Sequence, residues 1–202
     1  MEIVVATGNA HKLQEISNIL SPRGITILSP NDVGGIPDTI EDGDSFTANA
    51  IIKAEFGAKH CGLPVIADDS GLEVFALNGE PGIRSARYCG ENASDTDKMK
   101  KVIRKLSNHD DRSARFVCVI AVATPNGVLG TVEGEVRGSI LKEPIGTGGF
   151  GYDPIFMPDK YTTSFGELPA KIKDAISHRG NALMALLDSN LLNELTSFHK
   201  MS

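Results

Sequence analysis

Ile3-Val4-Val5-Ala6-Thr7-Gly8-Asn9-Ala10-His11-Lys12-Leu13 opens the chain, and its reading sets the fold class. Ile3 to Ala6 is a short buried strand, Thr7-Gly8-Asn9 breaks it, and Leu13, Ile16, Ile19 and Leu20 then recur at helical spacing. A strand that runs through so short a break into a helix begins a β-loop-α unit, the building block of α/β proteins. In such a break, backbone N–H groups and the positive end of the helix dipole form an anion site, to which Lys12 adds a full charge. The spacing is that of neither a P-loop nor a dinucleotide fingerprint. The plainer alternative is that Asn9 simply caps the helix.

The alternation continues downstream. Ile25 to Leu28 predicts a second strand, followed by a Pro-, Gly- and Asp-rich stretch from Pro30 to Asp44 that reads as a functional loop. Asp44 or Ser45 can cap the next helix, where Phe46, Ala50, Ala54 and Ala58 form one stripe and Asn49 and Lys53, four apart, share another face. Leu63 to Ala67 predicts a strand ending at Asp68-Asp69-Ser70-Gly71, with Leu72 to Ala76 as a further strand. Turns fall at Asn78-Gly79 and Pro81-Gly82, and Asp95 to Leu106 is an amphipathic helix. The second half is richer in strands: Ala114 to Ala123 and Val128 to Val136 flank Thr124-Pro125-Asn126-Gly127, a hairpin signal. A short strand at Ile155 to Met157, an exposed stretch and a helix from about Asn181 to Phe198 complete the expectation.

Adjacent carboxylates are costly to bury without a cation or hydrogen bonds, so Asp68 and Asp69 point to Mg2+. In extended chain the two side chains face opposite ways, and only one of them can meet a ligand directly. An ordinary Asp-Ser-Gly turn is the alternative. Glu41 and Asp42 in the preceding loop are further acidic candidates.

Gly146-Thr147-Gly148-Gly149-Phe150-Gly151-Tyr152-Asp153-Pro154 alternates glycines, which open the backbone to positive φ and leave no Cβ against a ligand, with two flat apolar faces. A planar heterocycle fits such a surface. A glycine-rich corner with core aromatics fits the same letters. Near the C-terminus, Lys171, Lys173, His178 and Arg179 gather donors in one segment, with Ser177 as a cap. They suit a base edge or a phosphate, or else form a solvated basic face.

The formal net charge of -6 lacks the basic footprint of a nucleic-acid polymer binder. The apolar run Phe116 to Ala123 is far short of the roughly 20 residues of a membrane helix. Cys61, Cys89 and Cys118 form no C-x-x-C pair and read as reduced thiols of a cytoplasmic protein, and the first residues lack the basic region of an export signal.

Five stretches in register carry a resemblance: T-G-N-x-x-K at Thr7, A-D-D-S-G-L at Ala67, P-G-I-R-S-A-R-Y at Pro81, the glycine-rich segment at Gly146, and I-S-H-R-G at Ile176. Together they resemble the inosine triphosphate pyrophosphatase family, the XTP/dITP diphosphatases. The resemblance implies an elongated mixed β-sheet with flanking helices, and two lobes around a central substrate groove. It implies a cytoplasmic homodimer that uses Mg2+ to hydrolyse deaminated purine nucleoside triphosphates to the monophosphate and pyrophosphate. By the family pattern Asp69 is the proton acceptor and, with Glu41, the metal-side residue. Thr7, Gly8, Asn9, Ala10, His11 and Lys12 hold the triphosphate, Ser70 contacts substrate, and Lys53 is a further phosphate contact. Phe150, Gly151, Tyr152, Asp153, Lys173, His178 and Arg179 hold the base and sugar, with Phe150 stacking on the purine and Arg179 or His178 reading its 6-oxo edge. Two rivals remain: a haloacid-dehalogenase-like phosphatase, disfavoured because its D-x-D pair shares one strand face, and a regulatory module that binds nucleotide without turnover.

Overall fold

β1 (Glu2–Val5) runs into α1 (Ala10–Leu20) across the break that the opening residues predict, in a computed structural model that describes residues 1–199. The next strand, β2 (Thr26–Leu28), returns parallel to β1, with Ile3 opposite Ile27. After a 3-10 turn at Pro30–Val33 and an irregular acidic stretch comes α2 (Phe46–Cys61). Ser45 caps α2 by accepting from Ala48 N, and Gly62 closes it in the left-handed conformation, which a glycine adopts without Cβ strain.

β3 is one unbroken strand, Val65–Val74, and here the structure corrects the expected strand, turn and second strand. Asp68, Asp69, Ser70 and Gly71 lie mid-strand. The reason lies in the neighbours: parallel β1 stops at Val5, opposite Ile66, while β4 (Ser113–Thr124) is a long partner on the other side. A backbone with a neighbour to pair with has no cause to turn.

α3 (Asp95–Lys105) starts at the Ser94 cap, whose side chain accepts from Asp97 N. β4 and β5 (Gly127–Ile140) are adjacent strands joined through Pro125-Asn126, so they form the predicted hairpin. β6 (Phe156–Pro158) pairs antiparallel with the end of β5. The order β2-β1-β3-β4-β5-β6, with parallel and antiparallel pairs, makes a mixed six-stranded sheet with helices, the expected α/β class.

Two expectations for the C-terminal third change. The stretch expected to be exposed contains α4 (Ala170–Ile176) and the fully buried Ser164 and Phe165. The single last helix is two, α5 (His178–Asp188) and α6 (Leu191–His199), separated at Ser189-Asn190, where the Ser189 hydroxyl donates to Leu186 O and accepts from Leu191 N. Ser and Asn compete for helix backbone groups in this way and favour helix ends.

The chain divides into two compact units, one of residues 1–69, 118–134 and 179–202, the other of 70–117 and 135–178. Each has its own apolar core. In the first unit Ile3, Val5, Ile16, Leu20, Ile66, Ile120 and Leu183 pack together. In the second, Leu72, Val102, Phe116, Ile155, Phe156 and Phe165 do so.

Candidate active site

The first unit holds a cluster of carboxylates and cations that follows from strand geometry. On the extended β3, Asp68 and Asp69 send their carboxylates to different partners, as the alternation of side chains requires. Asp68 Oδ2 receives Lys12 Nζ at 3.0 Å and Arg179 Nη2 at 3.0 Å, with Arg179 Nε at 3.3 Å. Asp69 receives Lys53 Nζ on Oδ1 at 3.0 Å and Asn49 Nδ2 on Oδ2 at 3.2 Å. Asn49 and Lys53 reach the same carboxylate because they lie one turn apart on α2.

Burial of both aspartates has opposite consequences. For Asp68, burial alone would raise the carboxyl, but Lys12, Arg179 and Lys53 outweigh it and hold the group well below the usual carboxylate range. For Asp69, burial pushes the carboxyl up, Lys53 only partly opposes this, and Glu41 adds to it. Asp69 is therefore the more basic of the pair. Lys53 is also desolvated, yet the attraction of Asp69, Asp68 and Glu41 keeps its ammonium favoured.

Glu41 joins this cluster through Lys53, whose Nζ lies 3.1 Å from Glu41 Oε1. The acidic loop is fixed to α2 by Gly43 N, which donates to Asn49 Oδ1 at 2.9 Å. A Cβ at residue 43 would lie 2.6 Å from that same oxygen, so this position needs glycine. Asn49 is a member of this cluster that the sequence leaves unassigned. Its signal was the shared face with Lys53.

The Thr7 to Lys12 segment sits beside β3 because Ala6 N donates to Ile66 O at 2.9 Å. Asn9 is an N-cap: its Oδ1 accepts His11 N at 2.9 Å and Lys12 N at 3.2 Å, while Thr7 Oγ1 accepts Asn9 N at 3.2 Å. Several donors expected to face an anion are thus engaged by the cap, the alternative left open by the sequence. Gly8, Ala10 and His11 are exposed.

Arg179 is buried among carboxylates. It is 1% exposed and holds Glu15 through Nη1 as well as Asp68. An isolated guanidinium cannot be buried without such partners. Glu15, on α1 one turn beyond Lys12, had no distinguishing signal in the sequence.

In the second unit the glycine-rich segment is a built loop. Asp153 is buried and its Oδ2 accepts Phe150 N at 2.8 Å and Lys173 Nζ at 2.5 Å. Lys173 Nζ also lies 4.8 Å from the centre of the half-buried Phe150 ring. A Cβ at Gly149 would fall 2.1 Å from Asp153 Oδ2, and one at Gly146 2.3 Å from the backbone of Gly166. These glycines allow the loop to pack on its own chain, as in the glycine-rich corner that the sequence left open as an alternative.

Tyr152 belongs to the core: it is 4% exposed, sits in the second unit's apolar cluster and donates its hydroxyl to Ser85 O at 2.9 Å. His178 is buried, with its ring stacked on Phe116 at 4.7 Å between centres. Ser70 and Gly151 are half-buried, and Lys171 is exposed, apart from the paired Lys173.

Among the described residues, no group of three or more His, Cys, Asp and Glu is arranged to hold a metal. Asp69 and Glu41 nevertheless share one cation, the Lys53 ammonium. Two hard oxygen donors on one positive centre are a donor set suited to Mg2+, which binds through one or two carboxylates together with substrate phosphates. No helix among the described residues is long and apolar enough to cross a membrane.

The Ham1 family model matches residues 3–189. A protein named dITP/XTP pyrophosphatase from Desulfotalea psychrophila is 50% identical over 181 residues, covering 90% of this chain and 81% of that one. Another of the same name from Geobacter sulfurreducens is 48% identical over 188 residues, covering 92% and 94%. Among solved structures, a HAM1 protein from Coxiella burnetii superposes with a TM-score of 0.86 at 44% identity, covering 96% of this chain and 99% of its own.

Proposed function

The chain belongs to the Ham1 family, and from that premise we propose that it hydrolyses deaminated purine nucleoside triphosphates, ITP, dITP, XTP and dXTP, to the monophosphate and pyrophosphate. The observation that carries the reading is the division of labour on β3. Asp68 is neutralised by two cations, while the adjacent Asp69 is desolvated, raised in basicity and held by Asn49 and Lys53. That is the environment of a general base.

In the proposed reaction Asp69 accepts a proton from a water whose oxygen bonds to the α-phosphorus, while the bond from that phosphorus to the bridging oxygen of the β-phosphate breaks. Asn49 and Lys53 fix the direction of the Asp69 carboxylate. Lys12 and Lys53 bring positive charge to a polyphosphate, and the Thr7 to Lys12 turn holds it. Mg2+, held by Asp69 and Glu41, supplies neutralisation of the polyphosphate charge when bound. Ser70 adds a hydroxyl to the substrate. No covalent intermediate is needed.

Phe150 is assigned to stack on the purine, with the Gly151 backbone, Asp153 and Lys173 shaping that wall. His178 and Arg179 are assigned to the base. A donor facing the 6-position bonds the accepting oxo group of hypoxanthine or xanthine and opposes the amino group of adenine, a mismatch worth about 1 to 3 kcal/mol. For Arg179 this assignment now includes Asp68 and Glu15, which fix its guanidinium. A homodimer and a cytoplasmic setting belong to the same proposal.

The test is incubation with Mg2+ and dITP, XTP, ATP or GTP, with the phosphate product identified. Pyrophosphate from dITP and XTP, in preference to ATP and GTP, is the expected result. Release of orthophosphate, or tight binding without turnover, would overturn the reading in favour of a phosphatase or a regulatory module.

A further inference from the structure

The P-G-I-R-S-A-R-Y segment at Pro81 has no role in the scheme above, and neither does Asp95 at the start of α3. Both connect to the glycine-rich loop. Gly151 N donates to Asp95 Oδ2 at 2.7 Å, across 56 residues of chain. Asp95 is in turn paired through Oδ1 with Lys98 Nζ at 2.7 Å, one turn along α3. Lys98 Nζ also donates to Ala86 O at 3.3 Å. Next to Ala86, Ser85 O accepts the Tyr152 hydroxyl, and the Ser85 hydroxyl is fixed between Leu72 N at 2.9 Å and Gly82 O at 2.6 Å. The Pro81 segment therefore reaches the loop by two routes, directly through Tyr152 and indirectly through Lys98 and Asp95.

The consequence falls on Phe150. Its own N–H is fixed by Asp153, and the N–H of the next peptide, that of Gly151, is fixed by Asp95. The peptide planes on both sides of one residue determine its φ and ψ, and hence the direction of its Cα–Cβ bond. With both planes held by carboxylates, the ring has one launch direction. Release of the Gly151 side would leave that peptide plane with the longer turn bond from Asp153 N to Phe150 O at 3.2 Å, closed through Gly151 at a φ of +63°. A glycine there resists little.

We infer that Asp95, braced by Lys98 and the Pro81 to Tyr88 segment, is a positioning residue that sets the orientation of Phe150 and thereby the affinity for the base of the substrate. It touches neither substrate nor metal in this scheme. The inference rests on the proposed assignment of Phe150 to the purine, and it predicts effects confined to the base end of the nucleotide.

The experiment compares wild type, Asp95→Ala, Asp95→Asn and Asp97→Ala. Asp97 lies in the same first turn and its side chain bonds Ser94 Oγ at 2.7 Å, so its removal reproduces the loss of acidic charge and cap contact without touching the loop. Three quantities are read: kcat and KM for dITP, the inhibition constant of inorganic tripolyphosphate, which has no base, and amide exchange at Gly151. Asp95→Ala is expected to raise KM roughly fivefold to tenfold with kcat changed less than about twofold, as loss of one partly exposed charge-assisted hydrogen bond implies. Tripolyphosphate inhibition stays unchanged, Gly151 exchange accelerates, Asp95→Asn recovers most of the wild-type KM through its amide oxygen, and Asp97→Ala resembles wild type.

Equal weakening of dITP and tripolyphosphate would overturn the inference, because it would make Asp95 a general structural support. So would an unchanged KM, or an Asp97→Ala variant as impaired as Asp95→Ala. Accelerated exchange at Gly151 with unchanged KM would show that the brace exists but does not serve the base. If wild type itself fails to turn over dITP, the proposed function fails, and the exchange measurement still decides whether Asp95 holds the loop.

Discussion

Replacing each of the two adjacent aspartates by asparagine should change stability in different ways, although the side chains are the same and both are buried. Asp68→Asn keeps the shape of the side chain and one acceptor oxygen, but it removes the negative charge that Lys12 and Arg179 share at 3.0 Å. Breaking a buried ion pair typically costs about 3 to 5 kcal/mol, because a desolvated charge is left behind. Lys12 is 18% exposed at its side chain and can turn to water, and Arg179 retains Glu15, so the lower end applies, about 3 kcal/mol. For a chain of this length that corresponds to a fall in Tm of about 6 to 12 °C.

Asp69→Asn should cost less: Lys53 loses the attraction of Asp69 but keeps Glu41 at 3.1 Å, and relief of the buried Asp69 carboxylate offsets part of the loss. The folded carboxyl of Asp69 is raised above its unfolded value, so its contribution favours folding only in acid and is lost as pH rises through the folded value. At about pH 8, above the carboxylate range, the ionised group is a burden that asparagine relieves. The expected fall in Tm is smaller than for Asp68→Asn, while kcat collapses. Stability given up for function is a common property of active sites. Calorimetry of both variants at about pH 8 checks this cleanly, because both residues lie in the same unit. Equal losses of Tm, or a larger loss for Asp69→Asn, would refute the division of labour on β3.

Two further outcomes follow from the same structure. Gly149→Ala should raise KM for dITP much more than Gly151→Ala: both positions have positive φ, but only at Gly149 would the new Cβ meet Asp153 Oδ2, at 2.1 Å. Comparable effects of the two substitutions would remove the packing argument for the loop. Iodoacetamide at neutral pH should label Cys89, which is exposed, and spare Cys118, whose thiol burial pushes up to about 12. Peptide mapping that finds Cys118 modified in folded protein would contradict its placement.

Local pattern carried much of the fold. The opening β-loop-α unit, the Ser45-capped helix and the Pro125-Asn126 hairpin each depend on periodicity and capping within a few residues, and each appears where the sequence puts it. What failed depended on neighbours distant in sequence. Asp-Asp-Ser-Gly reads as a turn until β4 pairs alongside and keeps it extended. The helix at Ala170 was hidden in a segment that is fixed by Ser164 on Ile145 O, by Phe165 on β6 and by Gly166 on the glycine-rich loop.

The candidate site shows the same limit. Asp69, Lys53 and Glu41 stood out by residue type, and the structure brings them together. Glu15 and Asp95, acidic residues on amphipathic helices, look like any solvated carboxylate until Arg179 and Gly151 N are placed beside them. Tyr152 had two plausible roles in sequence, and only its burial against Ser85 chose between them.

Hydrolysis of dITP in 18O-labelled water, under single turnover with Mg2+, tests the central claim most directly. Attack of water on the α-phosphorus, with Asp69 as base, predicts the label in dIMP and none in pyrophosphate. Label in pyrophosphate or in orthophosphate would place the attack on another phosphorus and contradict the account.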